Sequence, residues 1–300
     1  MINTKEFKAN SILLFIAIIW GGGFVAQRMG MQELGPFMFN GFRFLIGVLT
    51  LAPIVILRNR SQPETPGNLK KTILIGSAAG LFLFFGATLQ QLGLIYTTAG
   101  KAGFITGLYV IIVPLLGMLW GDRASLQTWI GACFAVFGLY LLSVTQGLQP
   151  APGDTYVLAG AFFWAVHVQF IARFSPSVDP IRLSLVQSLF ASFISFVVSF
   201  FLEDFVLNQI IAAAGPILYG GVISIGITYT LQVIAQKDAK PAHVAIFLSL
   251  ESVFAVFLGW LILNEVLTTR GLMGSILMLG GMIISQIQNP KADLTEEKLG

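Results

Sequence analysis

A chain of 300 residues with 56% hydrophobic and only 10% charged residues is excluded from the soluble globular class, whose members carry about a quarter charged residues. Its mean hydropathy of +0.83 fits elements that lie in lipid. The net charge of +3 is small and no basic tract interleaves with aromatics, so no nucleic-acid partner is expected, and the single cysteine, Cys133, rules out a disulfide framework or a Cys-based metal site.

Ten apolar stretches follow one another, each of about 20 residues and able to cross a hydrocarbon core roughly 30 Å thick. They run near 11–30, 37–57, 72–95, 101–120, 126–144, 155–173, 182–202, 210–235, 241–263 and 270–288. The first is too long for a cleaved leader and lacks a small-residue cleavage site, so it is expected to be a span. The breaks carry turn chemistry: ELGPF after the first stretch, RNRSQPETPGNLKK after the second, TTAGK after the third. TQGLQPAPGD is a polar connector at mid-chain, and PKADLTEEKLG ends the chain without an apolar period, as disordered tails do.

The two sides of that connector repeat each other. At an offset of 143, Ala99 falls on Ala242, Ala102 on Ala245, Phe104 on Phe247, Val113 on Val256, Gly131 on Gly274 and Gly138 on Gly281. Upstream the offset is 144, with Trp20 on Trp164, Pro36 on Pro180 and Arg43 on Gln187. Residues 1–145 and 154–288 therefore read as two five-helix repeats, joined by 146–153 and followed by a polar tail at 289–300. With the N-terminus cytoplasmic, the inside segments hold 13 Lys and Arg and the outside segments only Arg28, Lys101 and Arg270, while Arg43 lies within a span. That bias follows the positive-inside rule. Five spans per half is an odd number, so the second half runs opposite to the first. The expected fold is an all-α integral membrane protein of ten transmembrane helices in two inverted five-helix repeats. It is multi-pass in the cytoplasmic membrane, with both termini cytoplasmic and the lipid bilayer as its first partner.

Several motifs are also familiar. WGGGFVAQ followed by P…F…R, the run LGLIYTTAGKAGFITGLYVIIVPLLG, and the span ends GDR and NEV with their trailing glycines resemble the EamA-type family of the drug/metabolite transporter superfamily. The resemblance covers nearly the whole chain and both copies of the repeat. It implies a ten-helix inverted-repeat bundle that moves amino acids or other small metabolites, often outward. One departure is that Asp122 stands where the family commonly has Glu, whereas Glu265 keeps it.

Polar residues deep in spans are the candidate site, because lipid exposure would be expensive for them. Glu251 lies midway along its span opposite the apolar Leu108 in the repeat; it is read as a ligand for a substrate amine or a proton carrier, against a role in helix packing. His167 lies one turn from Trp164 and is read either as a group that meets a substrate carboxylate or as a partner for a neighbouring carbonyl. Asn40 and Arg43 are one turn apart. Arg43 either attracts an anionic group or snorkels outward to fix the bundle. Gln90, Gln91, Tyr109, Tyr229 and Gln232 are candidates for a polar path or for interhelical contacts. Trp20 and Trp164, away from the interfacial belts, suit the walls of a cavity for an apolar or aromatic substrate, or a packed core.

Gly21-Gly22-Gly23 is expected to open the backbone beside Trp20, and Gly76…Gly80, Gly103…Gly107 and Gly117…Gly121 have the spacing of closely packed helices. No G-x-S-x-G elbow, zinc helix, nucleophile–base pair or Walker A loop is present, so no enzyme activity and no cofactor is expected. The function expected is secondary transport of a small-molecule metabolite by alternating access, with the proton as a candidate coupling ion. The alternatives are a channel or a non-transporting membrane partner and, less favoured, a membrane-embedded enzyme.

Overall fold

The computed structural model describes residues 4–61, 66–122, 124–143, 152–264, 266 and 268–285, which form helices and short turns with no strand among them. A chain in lipid must satisfy its own backbone hydrogen bonds, and helices do so within each segment. In chain order the helices are α1 (Thr4–Gly30), α2 (Pro36–Ser61), α3 (Pro66–Tyr96), α4 (Ala99–Gly107), α5 (Tyr109–Leu119), α6 (Leu126–Ser143), α7 (Pro152–Phe174) and α8 (Pro180–Leu202). Then follow α9 (Leu207–Ala212), α10 (Ala214–Leu218), a π-helical stretch (Tyr219–Ile227), α11 (Thr228–Ala235), α12 (Pro241–Ser249), α13 (Glu251–Leu263) and α14 (Thr269–Ser285). Among the described residues, eight segments are long and apolar enough to cross a membrane, and two shorter apolar helices, Leu126–Leu141 and Thr269–Ser285, accompany them. Arg123, Glu265, the linking residues 144–151 and the tail 289–300 lie outside the described residues.

Two expected spans are each two helices. α4 gives way to α5 at Leu108 (φ −61°, ψ −14°), and α12 gives way to α13 at Leu250 (φ −63°, ψ −13°). The backbone tightens at both points: Leu108 N donates to Ile105 O at 3.2 Å and Leu250 N to Phe247 O at 3.2 Å, the i→i+3 spacing of a 3₁₀ turn. The stretch expected at 210–235 is likewise composite, because a π-helical segment lies between α10 and α11.

The principal helix contacts pair α6 with α14, α3 with α7, α2 with α8, α3 with α8, and α1 with α13. Glycine sets the α6–α14 distance. A Cβ on Gly131 would stand 2.6 Å from Gly281 O, and one on Gly138 would stand 2.5 Å from Gly274 O, so any side chain there would force the helices apart. The Gly21-Gly22-Gly23 run behaves differently from the sequence expectation. α1 passes through it as a continuous helix, and a Cβ on Gly21 would meet Phe254 Cβ at 2.3 Å. The run admits α13 rather than opening the backbone. Gly117 and Gly121 do not form a helix-packing pair either, since Gly121 has φ +88° and follows the end of α5.

α2 and α8 are fastened at both ends. At one end Glu203 receives Phe37 N at 2.9 Å, Met38 N at 2.6 Å and Ser199 Oγ at 2.9 Å, so a carboxylate covers the N-terminus of α2. At the other, Arg58 pairs with Asp179 at 3.1 Å and Arg182 donates to Asn59 Oδ1 at 2.6 Å. Asp179 also caps α8, accepting from Ile181 N at 3.1 Å and Arg182 N at 3.0 Å. Asp122 takes an ion pair from Arg173 at 2.8 Å, which joins the end of α5 to α7.

Candidate functional site

A cavity opens in the middle of the bundle, between α1, α2, α3, α7, α11 and the two helix breaks. Nine of the ten residues proposed from the sequence line it: Trp20, Arg43, Gln90, Tyr109, Trp164, His167, Tyr229, Gln232 and Glu251. Asn40 does not. It is fully buried between α2 and α3, where its Nδ2 donates to Thr88 Oγ1 at 3.4 Å. One turn along α2, Arg43 reaches the cavity because the three-residue step rotates the side chain onto a neighbouring face.

Aromatic rings form one wall. The ring of Tyr229 lies 5.0 Å from Trp20 at 49° and 6.2 Å from Trp164 at 22°, while His167 stands edge-on to it at 6.2 Å. Each indole N–H is anchored on a helix beyond the chain's midpoint from its own. Trp20 Nε1 donates to Thr228 Oγ1 at 2.7 Å, and Trp164 Nε1 donates to Gln90 Oε1 at 3.0 Å. A buried indole needs such a partner, and these bonds hold both rings in fixed orientations.

The charged groups are sparsely paired. Arg43 is 5% exposed, stacks over Phe39 and Phe44 at 5.6 and 5.3 Å, and makes no ion pair or hydrogen bond among the described residues. Glu251 is 5% exposed and accepts one hydrogen bond, from Tyr109 OH at 3.3 Å. That bond joins the residues that follow the two helix breaks. His167 Nε2 bonds Gln187 Oε1 at 3.0 Å, whereas His167 Nδ1 and Gln232 Oε1 are buried with no hydrogen-bond partner among the described residues. An unpaired polar group in such surroundings costs about 1–3 kcal/mol. Of the buried side-chain atoms without such a partner among the described residues, Arg43 Nε, His167 Nδ1 and Gln232 Oε1 belong to cavity-lining residues, and the others lie elsewhere in the bundle.

The remaining lining includes Phe24, Gln27, Thr106, Val168, Ser224, Ile225 and Leu248, none of which the sequence reading placed in the site. Gln27 carried the same signal that singled out Gln90, a polar side chain within an apolar span. Gln91 sits behind the wall, with its Nε2 on Gln27 O at 3.3 Å. Among the described residues no group of three or more His, Cys, Asp or Glu is arranged to hold a metal ion.

A helical bundle with eight segments of membrane-spanning length around a central cavity is the architecture of a polytopic membrane protein. The sequence profile of the EamA-like transporter family matches residues 7–144 and again residues 151–286. The chain belongs to that family. It is 31% identical over 288 residues to an uncharacterized transporter of Archaeoglobus fulgidus, covering 95% of this chain and 87% of that one. It is 23% identical to the uncharacterized transporter YoaV of Bacillus subtilis, over 91% of this chain and 94% of that protein. The uncharacterized inner membrane transporter YedA of Escherichia coli is also 23% identical, over 82% of this chain and 80% of its own length. A solved crystal structure shares the fold with a TM-score of 0.75 at 18% identity, covering 93% of this chain and 98% of that chain. These relatives carry transporter names rather than enzymatic ones, and the chain is a multi-pass membrane transporter.

Proposed function

We propose that the chain is a secondary transporter that exports small organic metabolites, amino acids with apolar or aromatic side chains above all, by alternating access through the central cavity. The observation that carries this reading is the combination in one cavity of aromatic walls with a cation, Arg43, and a carboxylate, Glu251, which among the described residues have respectively no ion-pair or hydrogen-bond partner and one hydrogen bond. A zwitterion with an apolar side chain complements all three. Glu251 takes the substrate amine or, in its place, a proton, so substrate and proton compete for one group.

The inverted repeat is supported by the contact pattern. Gly131 and Gly274 are equivalent at the 143 offset, as are Gly138 and Gly281. Gly131 meets Gly281 while Gly138 meets Gly274, the self-complementary exchange that a two-fold axis requires. The two matches of the family profile fall on the same halves. Two five-helix halves with both termini in the cytoplasm also agree with the Lys and Arg bias. Single cysteines placed in residues 58–71 and in 145–154, in a Cys133→Ser background, test the orientation. An impermeant thiol reagent applied to intact cells should label only the second.

Transport itself is tested with purified protein in liposomes and a panel of labelled metabolites, with and without a pH gradient. Saturable flux of amino acids that responds to the gradient supports the reading. Unsaturable flux of simple ions would replace it with a channel, and no flux of any kind with a non-transporting membrane partner.

A further inference from the structure

A directional chain of hydrogen bonds runs beside the cavity from Trp164 on α7 through α3 to α1. Trp164 Nε1 donates to Gln90 Oε1 at 3.0 Å, Gln90 Nε2 donates to Gln27 Oε1 at 3.0 Å, and Gln27 Nε2 donates to Gly23 O at 3.1 Å. The two ends of this relay allow one direction only. An indole N–H can only donate and a backbone carbonyl can only accept, so neither amide can be turned over without placing donor against donor or acceptor against acceptor. Both amide oxygens are thereby engaged within the protein, Gln90 Oε1 twice, since Thr106 Oγ1 also approaches it at 3.5 Å. Each amide nitrogen carries two hydrogens, and the relay uses one. Gln90 therefore has only N–H left to offer the cavity, while Gln27 has one N–H beside the second lone pair of its Oε1. Arg43, which lines the same cavity, also has only donors.

We infer that Gln27, Gln90 and Arg43 form a carboxylate subsite, in which Gln27 is the positioning residue that fixes the atom Gln90 presents. The inference rests on the transport reading above, and it assigns the two ends of a zwitterion to different residues of the cavity. The carboxylate lies against α1, α2 and α3, and the ammonium lies toward Glu251. A planar carboxylate accepts several hydrogen bonds at once, and a guanidinium with two amide N–H groups supplies them.

The test is binding of tritiated L-phenylalanine to the purified full chain in detergent, competed by phenethylamine, which lacks the carboxylate, and by 3-phenylpropanoate, which lacks the amine. The wild type should prefer L-phenylalanine to phenethylamine by about tenfold or more, the range of a charge-assisted hydrogen bond. Gln27→Glu keeps an acceptor for Gln90 Nε2 but replaces the free N–H with a negative charge. That change should erase the preference and weaken 3-phenylpropanoate, with phenethylamine unaffected or tighter. Gln27→Met, neutral and of similar length, should narrow the gap by about threefold and carries the test if the charged variant does not fold. A purely structural role for Gln27 would weaken all three ligands together. An unchanged gap in both variants, or equal competition by phenethylamine in the wild type, overturns the subsite and leaves the transport reading standing. If none of the three compounds binds the wild type, the substrate class proposed above falls, and the subsite with it.

Discussion

Along the α6–α14 contact two helices meet glycine to carbonyl, with residues that match at the 143 offset, Gly131 with Gly274 and Gly138 with Gly281. Around the cavity the helices meet through side chains whose counterparts differ, Arg43 opposite Gln187 and Glu251 opposite Leu108. The first region is a surface where any added atom is excess. The second keeps polar atoms buried and incompletely bonded. The matched glycines serve packing, whereas the matched pair Trp20 and Trp164 lines the cavity. Arg43 and Glu251, which have no such match, also line it.

The largest expected effect breaks the glycine contact. Gly131→Leu should destabilise the protein by about 3 kcal/mol or more, because overpacking is felt through both backbones, whereas Gly280→Leu, with nothing within 4 Å of its Cβ position, should change stability by about 0.5 kcal/mol or less. Thermal unfolding in detergent measures both, and equal losses would mean that the close approach is not what holds α6 to α14.

Glu251→Gln should leave that stability nearly unchanged, since the side chain keeps its volume and its hydrogen bond with Tyr109, yet lower gradient-coupled flux about tenfold to a hundredfold. Full flux in a folded variant would move Glu251 to the packing side of the comparison. Trp164→Ala should reduce substrate affinity several-fold at least, as aromatic contacts contribute about 0.5–1.5 kcal/mol beyond burial. The smallest effect is expected from Trp164→Phe, which keeps a ring but removes the donor to Gln90; a net hydrogen bond of about 1 kcal/mol predicts roughly a fivefold weakening. If the phenylalanine and alanine variants weaken binding equally, the ring surface contributes nothing beyond the relay.

The membrane class and most of the cavity were legible in the sequence because polar residues in lipid-spanning helices are rare and each one is informative. Glu251, Arg43 and His167 needed no more than that. Asn40 met the same test yet lies off the cavity, because polarity identifies a buried group and not the side of the helix it faces. Gln27 was overlooked although it passed the test, sitting at the end of a motif read for its glycines. The helix breaks at Leu108 and Leu250 had no local signature. Neither residue is Gly or Pro, and Pro114, which removes one helical hydrogen bond in α5, lies beyond the break and has no proline counterpart at Phe257. The glycine run at 21–23 misled for the opposite reason. Three glycines lower helix propensity, but the contact with α13 outweighs it.

The fastening of α2 to α8 at both ends has a use in measurement. With Glu203 across one end and Arg58–Asp179 across the other, the pair is held at two points far apart along its length, which resists both sliding and splaying. Spin labels straddling α2 and α8 should therefore give one narrow distance distribution in every condition and serve as an internal ruler. Against that ruler, any broadening between labels on α4 and α12 is displacement of helices, and not the wandering of the labels themselves.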